Sequence, residues 1–119
     1  MSWLWVALGG AIGASARYGI SVLLPATGFP WPTLVANLLG CCAIGWFVGH
    51  YSQAEWFLGG GRLFLVTGLL GGFTTFSAFS LETVQLAQAG QLSTAAVYVL
   101  VSLAACVAGA WLGLELGGG

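Results

Sequence analysis

Four apolar stretches follow one another along the chain, at about residues 3–24, 32–51, 62–88 and 93–116. Each reaches the ~20 residues that a helix needs to cross a bilayer. The links between them are short and rich in proline, glycine or polar residues, which end helices. The pattern predicts an all-α, polytopic membrane protein with four transmembrane helices in one domain, residues 1–119.

Composition supports a chain embedded in a lipid bilayer. Only 4% of the 119 residues are charged and 59% are hydrophobic, whereas a soluble domain carries about 25% charged residues. With two Lys and Arg residues in total, the chain has no basic patch, so we expect no nucleic-acid partner. We find no nucleophile–base pair and no metal-ligand cluster, so we expect that the protein is not an enzyme.

The first stretch lacks a basic segment at its start and contains Arg17, so we expect a retained helix rather than a signal peptide. Arg17 and Arg62 fall near opposite sides of the membrane. The positive-inside rule therefore has almost nothing on which to act. We hypothesise dual topology, with two copies paired in opposite orientations.

Small residues recur four positions apart in three of the stretches. Such spacing lets helix backbones approach closely in a bilayer, and we interpret it as favouring assembly into an oligomer. The spaced residues are Gly9 and Gly13, Gly45 and Gly49, and Ala105, Gly109 and Gly113.

The third stretch contains poor helix formers near its middle. Gly71 and Gly72 are followed closely by the β-branched Thr74 and Thr75. A helix broken here would free backbone carbonyls inside the membrane, and such carbonyls are a recurring way to hold a sodium ion. The alternative is a continuous helix whose hydroxyls bond back to the preceding turn.

Two polar residues lie inside predicted spans. Arg17 in the hydrocarbon costs about 2.5–3.5 kcal/mol unless it reaches the interface or water. It either snorkels to the headgroups or attracts an anion near a vestibule. Asn37 either makes an interhelical hydrogen bond worth about 1 kcal/mol or serves as a ligand in a permeation path.

Aromatic and acidic residues follow the predicted break. Phe76 and Phe79 share a helix face. They either pack against lipid or core, or turn their electropositive ring edges to a small anion. Glu82 is either a buried acid with a role or the end of the apolar stretch.

The fourth stretch carries a short polar stripe, Tyr98 and Ser102, which Cys106 continues. Alone, this stripe indicates little about function.

Because the cysteine count is odd and Cys41, Cys42 and Cys106 all lie in apolar runs, we interpret them as small apolar residues and not as a disulfide framework.

Taken together, three segments resemble the Fluc (CrcB) family of fluoride channels, and the similarity spans nearly the whole chain. The segments are GGAIGASARY at residues 9–18, TLVANLLG at 33–40 and GGFTTFSAFSLE at 71–82. The third segment is highly specific. Pro32, Ala78 and Cys106 differ from the residues that are usual in the family.

The resemblance implies antiparallel, dual-topology homodimers in the plasma membrane, a bacterial-type inner membrane. Each dimer would contain two fluoride pores and one central structural sodium ion. By motif position, the backbone oxygens of Gly71 and Thr74 from both subunits would hold the sodium.

The resemblance also assigns roles along each pore. Arg17 corresponds to the conserved arginine of the family's first helix, and we assign Arg17 and Glu82 to electrostatic or vestibule positions. The positions that would line the fluoride pore are Asn37, Phe76, Ser77, Phe79, Tyr98 and Ser102.

The function expected from this sequence is passive fluoride efflux, which lowers cytoplasmic fluoride. One alternative is a small dual-topology multidrug-type cation exporter, but such exporters need an acid in the first helix, where this chain has Arg17 and no acid. A second alternative is a non-transporting membrane assembly subunit.

Overall fold

The computed structural model describes residues 2–25 and 28–118, so Ala26 and Thr27 of the first link lie outside the described residues. The described chain is helical. Its helices are α1 (Ser2–Leu23), α2 (Trp31–Tyr51), α3 (residues 57–73), α4 (Phe76–Gln88) and α5 (Leu92–Gly118). Because α3 and α4 together form one span, the described residues contain four helical spans apolar enough to cross a membrane. This confirms the all-helical, four-span architecture.

The third span begins before the expected residue 62. Glycines at the end of the second link indicated a loop, but Phe57–Gly61 forms wide, π-type helical turns with a kink at Gly59 (φ −86°, ψ −127°). Gly60 lies close to the indole of Trp5, where a Cβ atom would be 2.8 Å from Nε1. The glycines therefore continue the helical path and let an aromatic ring of α1 approach it.

Two extended residues separate α3 from α4. Thr74 has φ −88° and ψ 157°, and Thr75 has φ −150° and ψ 120°. The preceding Gly71 is helical. Both the backbone N–H and the hydroxyl of Thr74 donate to the carbonyl of Leu70 at 3.0 Å. The Thr75 hydroxyl accepts the N–H of Ala78 at 3.1 Å and so caps the start of α4.

Helices α1 and α3 run parallel and touch backbone to backbone. A Cβ atom on Gly9 would overlap the carbonyl oxygen of Phe64, and one on Gly13 would overlap that of Leu69. Later residues of α1 therefore meet later residues of α3, as expected for parallel helices. This corrects the interpretation of the glycine spacing in α1 as a surface for assembly, because the contact buries both glycines within a single chain.

Helices α2 and α5 form a second parallel pair. Gly45 faces Ala110 and Gly49 faces Leu114, with a Cβ atom on Gly49 only 2.6 Å from the Leu114 oxygen. One turn along α2 thus matches one turn along α5. The spaced glycines of these helices, like those of α1, therefore form contacts between helices of the same chain. Between the two helix pairs the chain leaves a groove, against which α4 also packs.

Candidate functional site

The groove is a cavity of about 320 Å³ that is open on one side. Its wall is mostly apolar, with the polar groups of Asn37, Thr74, Thr75 and Ser102 exposed to it. It brings together six of the residues that were predicted to line the fluoride pore or to hold sodium. These are Asn37, Gly71, Thr74, Phe76, Phe79 and Ser102.

Asn37 makes two hydrogen bonds to the interruption between α3 and α4. Its Nδ2 donates to the carbonyl of Thr75 at 3.0 Å, and the Thr75 N–H donates to Oδ1 at 2.8 Å. One side-chain amide thus satisfies both polar groups of a residue that has left the helix, as the apolar membrane interior requires. Of the two roles considered for Asn37, the structure contains the hydrogen bond between helices.

These contacts also divert backbone donors from the carbonyls of Gly71 and Thr74. In a continuous helix the N–H of Thr75 would reach the carbonyl of Gly71, and that of Ala78 would reach Thr74. Here they donate to Asn37 and to the Thr75 hydroxyl instead. The two carbonyls named for sodium are therefore the two whose helical donors are used elsewhere.

Arg17 contacts the other side of the interruption. Its Nε donates to the carbonyl oxygen of Gly72 at 3.4 Å, and the side chain is half-buried. This places the guanidinium at the contact between α1 and α3, outside the set of residues that line the groove. Arg17 thus supplies a donor to a carbonyl that lies two residues before the extended Thr74.

Glu82 accepts hydrogen bonds from two helices. The Thr33 hydroxyl donates to Oε2 and the Tyr98 hydroxyl to Oε1, both at 3.0 Å. Tyr98 is fully buried and Thr33 nearly so. Glu82 also faces a second cavity of about 370 Å³, between the first link and the end of α4. It is therefore a half-buried acid that contacts both neighbouring helices and the second cavity.

A row of four aromatic rings leads from the groove to this second cavity. Phe76 and Phe79 have centroids 5.5 Å apart, Phe79 and Tyr98 5.0 Å, and Tyr98 and Phe29 5.4 Å, the last pair edge to face. Phe79 is packed in the core, whereas Phe76 is 74% exposed. Phe79 therefore has a fixed ring, and Phe76 projects from the chain.

Two serines differ sharply in their surroundings. Ser77 is exposed, with its Oγ 3.2 Å from that of Thr75, and it is not among the residues that line the groove. Ser102 is only 6% exposed, and its Oγ has no hydrogen-bond partner among the described residues. Because Ser102 lines the groove, its hydroxyl is a buried donor available to a ligand there.

The polar residues of α2 and α5 form facing pairs in the helix register. Counting back by whole turns from Gly45 opposite Ala110 brings Cys41 level with Cys106. The next turns bring Asn37 level with Ser102, and then Thr33 level with Tyr98. Thr33 and Cys41 are thus two further residues of this polar arrangement, beyond those predicted for the site. The signal was present in α2, where Thr33, Asn37 and Cys41 recur every four residues like the stripe of α5.

Comparisons with known proteins agree with these motifs. The sequence model of a family described as "CrcB-like protein, Camphor Resistance (CrcB)" matches residues 4–114. A protein named fluoride-specific ion channel FluC from Paracoccus denitrificans is 45% identical over 122 residues, which cover 99% of this chain and 95% of the relative. The protein of that name from Thermus thermophilus is 45% identical over 119 residues, covering 98% of this chain and 94% of the relative. The relative of the same name from Agrobacterium fabrum is 46% identical over 115 residues, covering 94% and 92%. By sequence, by its four spans and by the match over nearly its whole length, the chain belongs to the CrcB family.

Proposed function

We propose that the protein is a fluoride-specific ion channel of the plasma membrane through which fluoride leaves the cytoplasm passively. The relatives that bear this name match almost the full chain. The structural observation that carries the proposal is the buried hydroxyl of Ser102, which lacks a partner among the described residues and lines the groove. An unsatisfied buried polar group costs about 1–3 kcal/mol, so this donor gains by meeting an acceptor such as fluoride.

Fluoride is strongly hydrated, so the groove must replace water with hydrogen-bond donors. Asn37 uses one amide hydrogen on Thr75, and its second hydrogen is a further donor level with Ser102. The ring edges of Phe76 and Phe79 are weakly electropositive and complete this side of the path. They contact an anion without holding it tightly, which favours passage.

The charged residues set the ends of the path. Tyr98 and Thr33 donate to Glu82, so an anion that reaches this level competes with the carboxylate for both hydroxyls. Fluoride therefore gains these donors only when Glu82 turns toward the second cavity. Arg17 acts through α3 and contributes positive potential, since charges interact strongly in a medium of low dielectric constant.

The open groove supports the proposal that the protein is a homodimer with antiparallel subunits. One chain leaves the groove open on one side and Phe76 largely exposed. A second copy in the opposite orientation would close both grooves and give two equivalent pores. The scarcity of Arg and Lys, two in the chain, allows insertion in both orientations.

The residues present fit a structural sodium ion at the dimer centre. The carbonyls of Gly71 and Thr74 have lost their helical donors to Asn37 and Thr75, and both residues line the groove. Gly71 has no side chain to cover its carbonyl. Sodium would supply positive charge to these oxygens. The chain would contribute hard oxygen ligands to the ion. The ion would have a structural role and would take part in no reaction.

Fluoride efflux from liposomes tests the function. We expect the purified protein to release trapped fluoride and not chloride, and Ser102→Ala to slow release at least tenfold. Ser93→Ala, at an exposed position of the same helix, is the matched control and should leave the rate unchanged. Absence of fluoride release from the unmodified protein would exclude the channel. Equal rates for the two serine variants would remove Ser102 from the path.

A further inference from the structure

Two cysteines, Cys41 and Cys106, line the wall of the groove. In the parallel register of α2 and α5, fixed by Gly45 opposite Ala110, the next turn back brings Cys41 level with Cys106. The pair lies one helical turn from Asn37 and Ser102.

The third cysteine occupies a different environment. Cys42 points into the contact between α2 and α5, where a Cβ atom on Gly109 would lie 2.8 Å from its Sγ. It is not among the residues that line the groove. All three cysteines are free and half-buried, so Cys42 provides a matched control for the other two.

We propose that Cys41 and Cys106 form a two-thiolate site for a single thiophilic d10 cation, of the class of Cu(I), Ag(I) and Hg(II). Each thiol releases its proton to water and forms one sulfur–metal bond, and no electrons are transferred. Thiolates are the ligands that soft cations select. Within residues 2–25 and 28–118, no three His, Cys, Asp or Glu side chains come together to hold a metal. The pair therefore suits the linear, two-coordinate geometry of these ions and not tetrahedral zinc.

The bound cation occupies the groove wall beside the hydroxyl of Ser102. If the groove is the path for fluoride, as proposed above, the cation narrows it and slows efflux. This effect on flux rests on the proposed function, whereas binding of the cation does not.

Mercuric chloride tests the binding. Full-length protein in detergent is loaded with Hg²⁺ and then challenged with excess 2-mercaptoethanol, which removes mercury held by one thiol more readily than mercury held by two. We expect one mercury per chain to remain on the unmodified protein and on Cys42→Ser. Cys41→Ser and Cys106→Ser should each release it at a monothiol concentration at least tenfold lower. Retention by either of these variants, or loss from Cys42→Ser, would overturn the two-thiolate site.

Efflux from liposomes tests the consequence separately. We expect Hg²⁺ to slow fluoride release at least fivefold for the unmodified protein and for Cys42→Ser, and to leave the double variant Cys41→Ser, Cys106→Ser unaffected. If the unmodified protein binds mercury as described but releases no fluoride even without it, the channel proposal fails and the site stands. If bound mercury leaves a normal fluoride rate unchanged, the placement of the site on the path is wrong.

Discussion

The contact between α2 and α5 changes character along its length. In the half nearer the first link the two helices present Asn37 and Ser102, and then Cys41 and Cys106, to the groove. One turn closer to the link, Thr33 and Tyr98 are buried and donate to Glu82. Beyond the cysteines, Gly45 and Gly49 bring the backbones into direct contact with Ala110 and Leu114. The same helices in the same register thus build a wall in one half and a close-packed junction in the other.

This difference follows from side-chain size. Glycine removes the Cβ atom that would hold two backbones apart, whereas the larger polar residues leave room beside them for a cavity of about 320 Å³. A rigid junction at one end fixes the relative position of the polar groups at the other. The comparison therefore predicts that the glycine half controls folding and that the polar half controls what the groove binds.

The largest effect is expected from Gly45→Ala in the junction. The new Cβ atom would overlap the Ala110 carbonyl and lie 2.9 Å from the Leu114 nitrogen. Because the obstacle is backbone that cannot rotate away, we expect a loss of at least about 4 kcal/mol in the free energy of unfolding. The fraction of monodisperse protein in detergent and its unfolding curve measure this. Gly19→Ala, which would meet nothing within 4 Å, is the control, and equal losses for both would contradict a backbone junction.

A smaller loss is expected from Asn37→Ala in the polar half. The variant leaves the N–H and the carbonyl of Thr75 without the partners that they have now. At about 1–3 kcal/mol for each unsatisfied group, we expect a destabilisation of about 2–4 kcal/mol together with loss of fluoride efflux. Thr67→Ala, at an exposed position on the third span, should change neither quantity. If Asn37→Ala keeps full stability, the amide does not support the interruption.

The smallest effects are expected around Glu82. Thr33→Val and Tyr98→Phe each remove one donor to the carboxylate, and a hydrogen bond to a charged group contributes about 1.5–3 kcal/mol. We expect each single variant to lose about 1.5 kcal/mol and the double variant to depart from additivity, because the two donors share one acceptor. Thr83→Val removes a hydroxyl that donates only to Phe79 in its own helix and should cost less. If the losses of the two single variants add up exactly in the double variant, the two hydrogen bonds to Glu82 are independent and the prediction is wrong.

The four spans could be predicted because twenty or more apolar residues in succession have few alternatives to a membrane helix. The start of the third span could not, since Gly59 and its neighbours read as a loop until Trp5 packs against them. The helices that pack against the glycine stripes could not be predicted either. Spacing indicates close packing, but the choice between another chain and another helix of the same chain is made by the tertiary fold.

The candidate site shows the same limit. Asn37 and Thr75 are prominent in the sequence, but their mutual pairing depends on how α2 lies against the third span. The contacts of Glu82 with Thr33 and Tyr98 join three helices and have no local signature. Residue types and their spacing therefore indicate which side chains are candidates for the site. Their partners required the three-dimensional arrangement.

The interruption at Thr74 and Thr75 also divides the electrostatics of the third span. The carboxyl end of one helix and the amino end of the next meet within two residues. A helix carries partial negative charge at its carboxyl end and partial positive charge at its amino end. The two extended residues thus place a cation-favouring helix end and an anion-favouring helix end side by side within the third span, without the use of an ionised side chain.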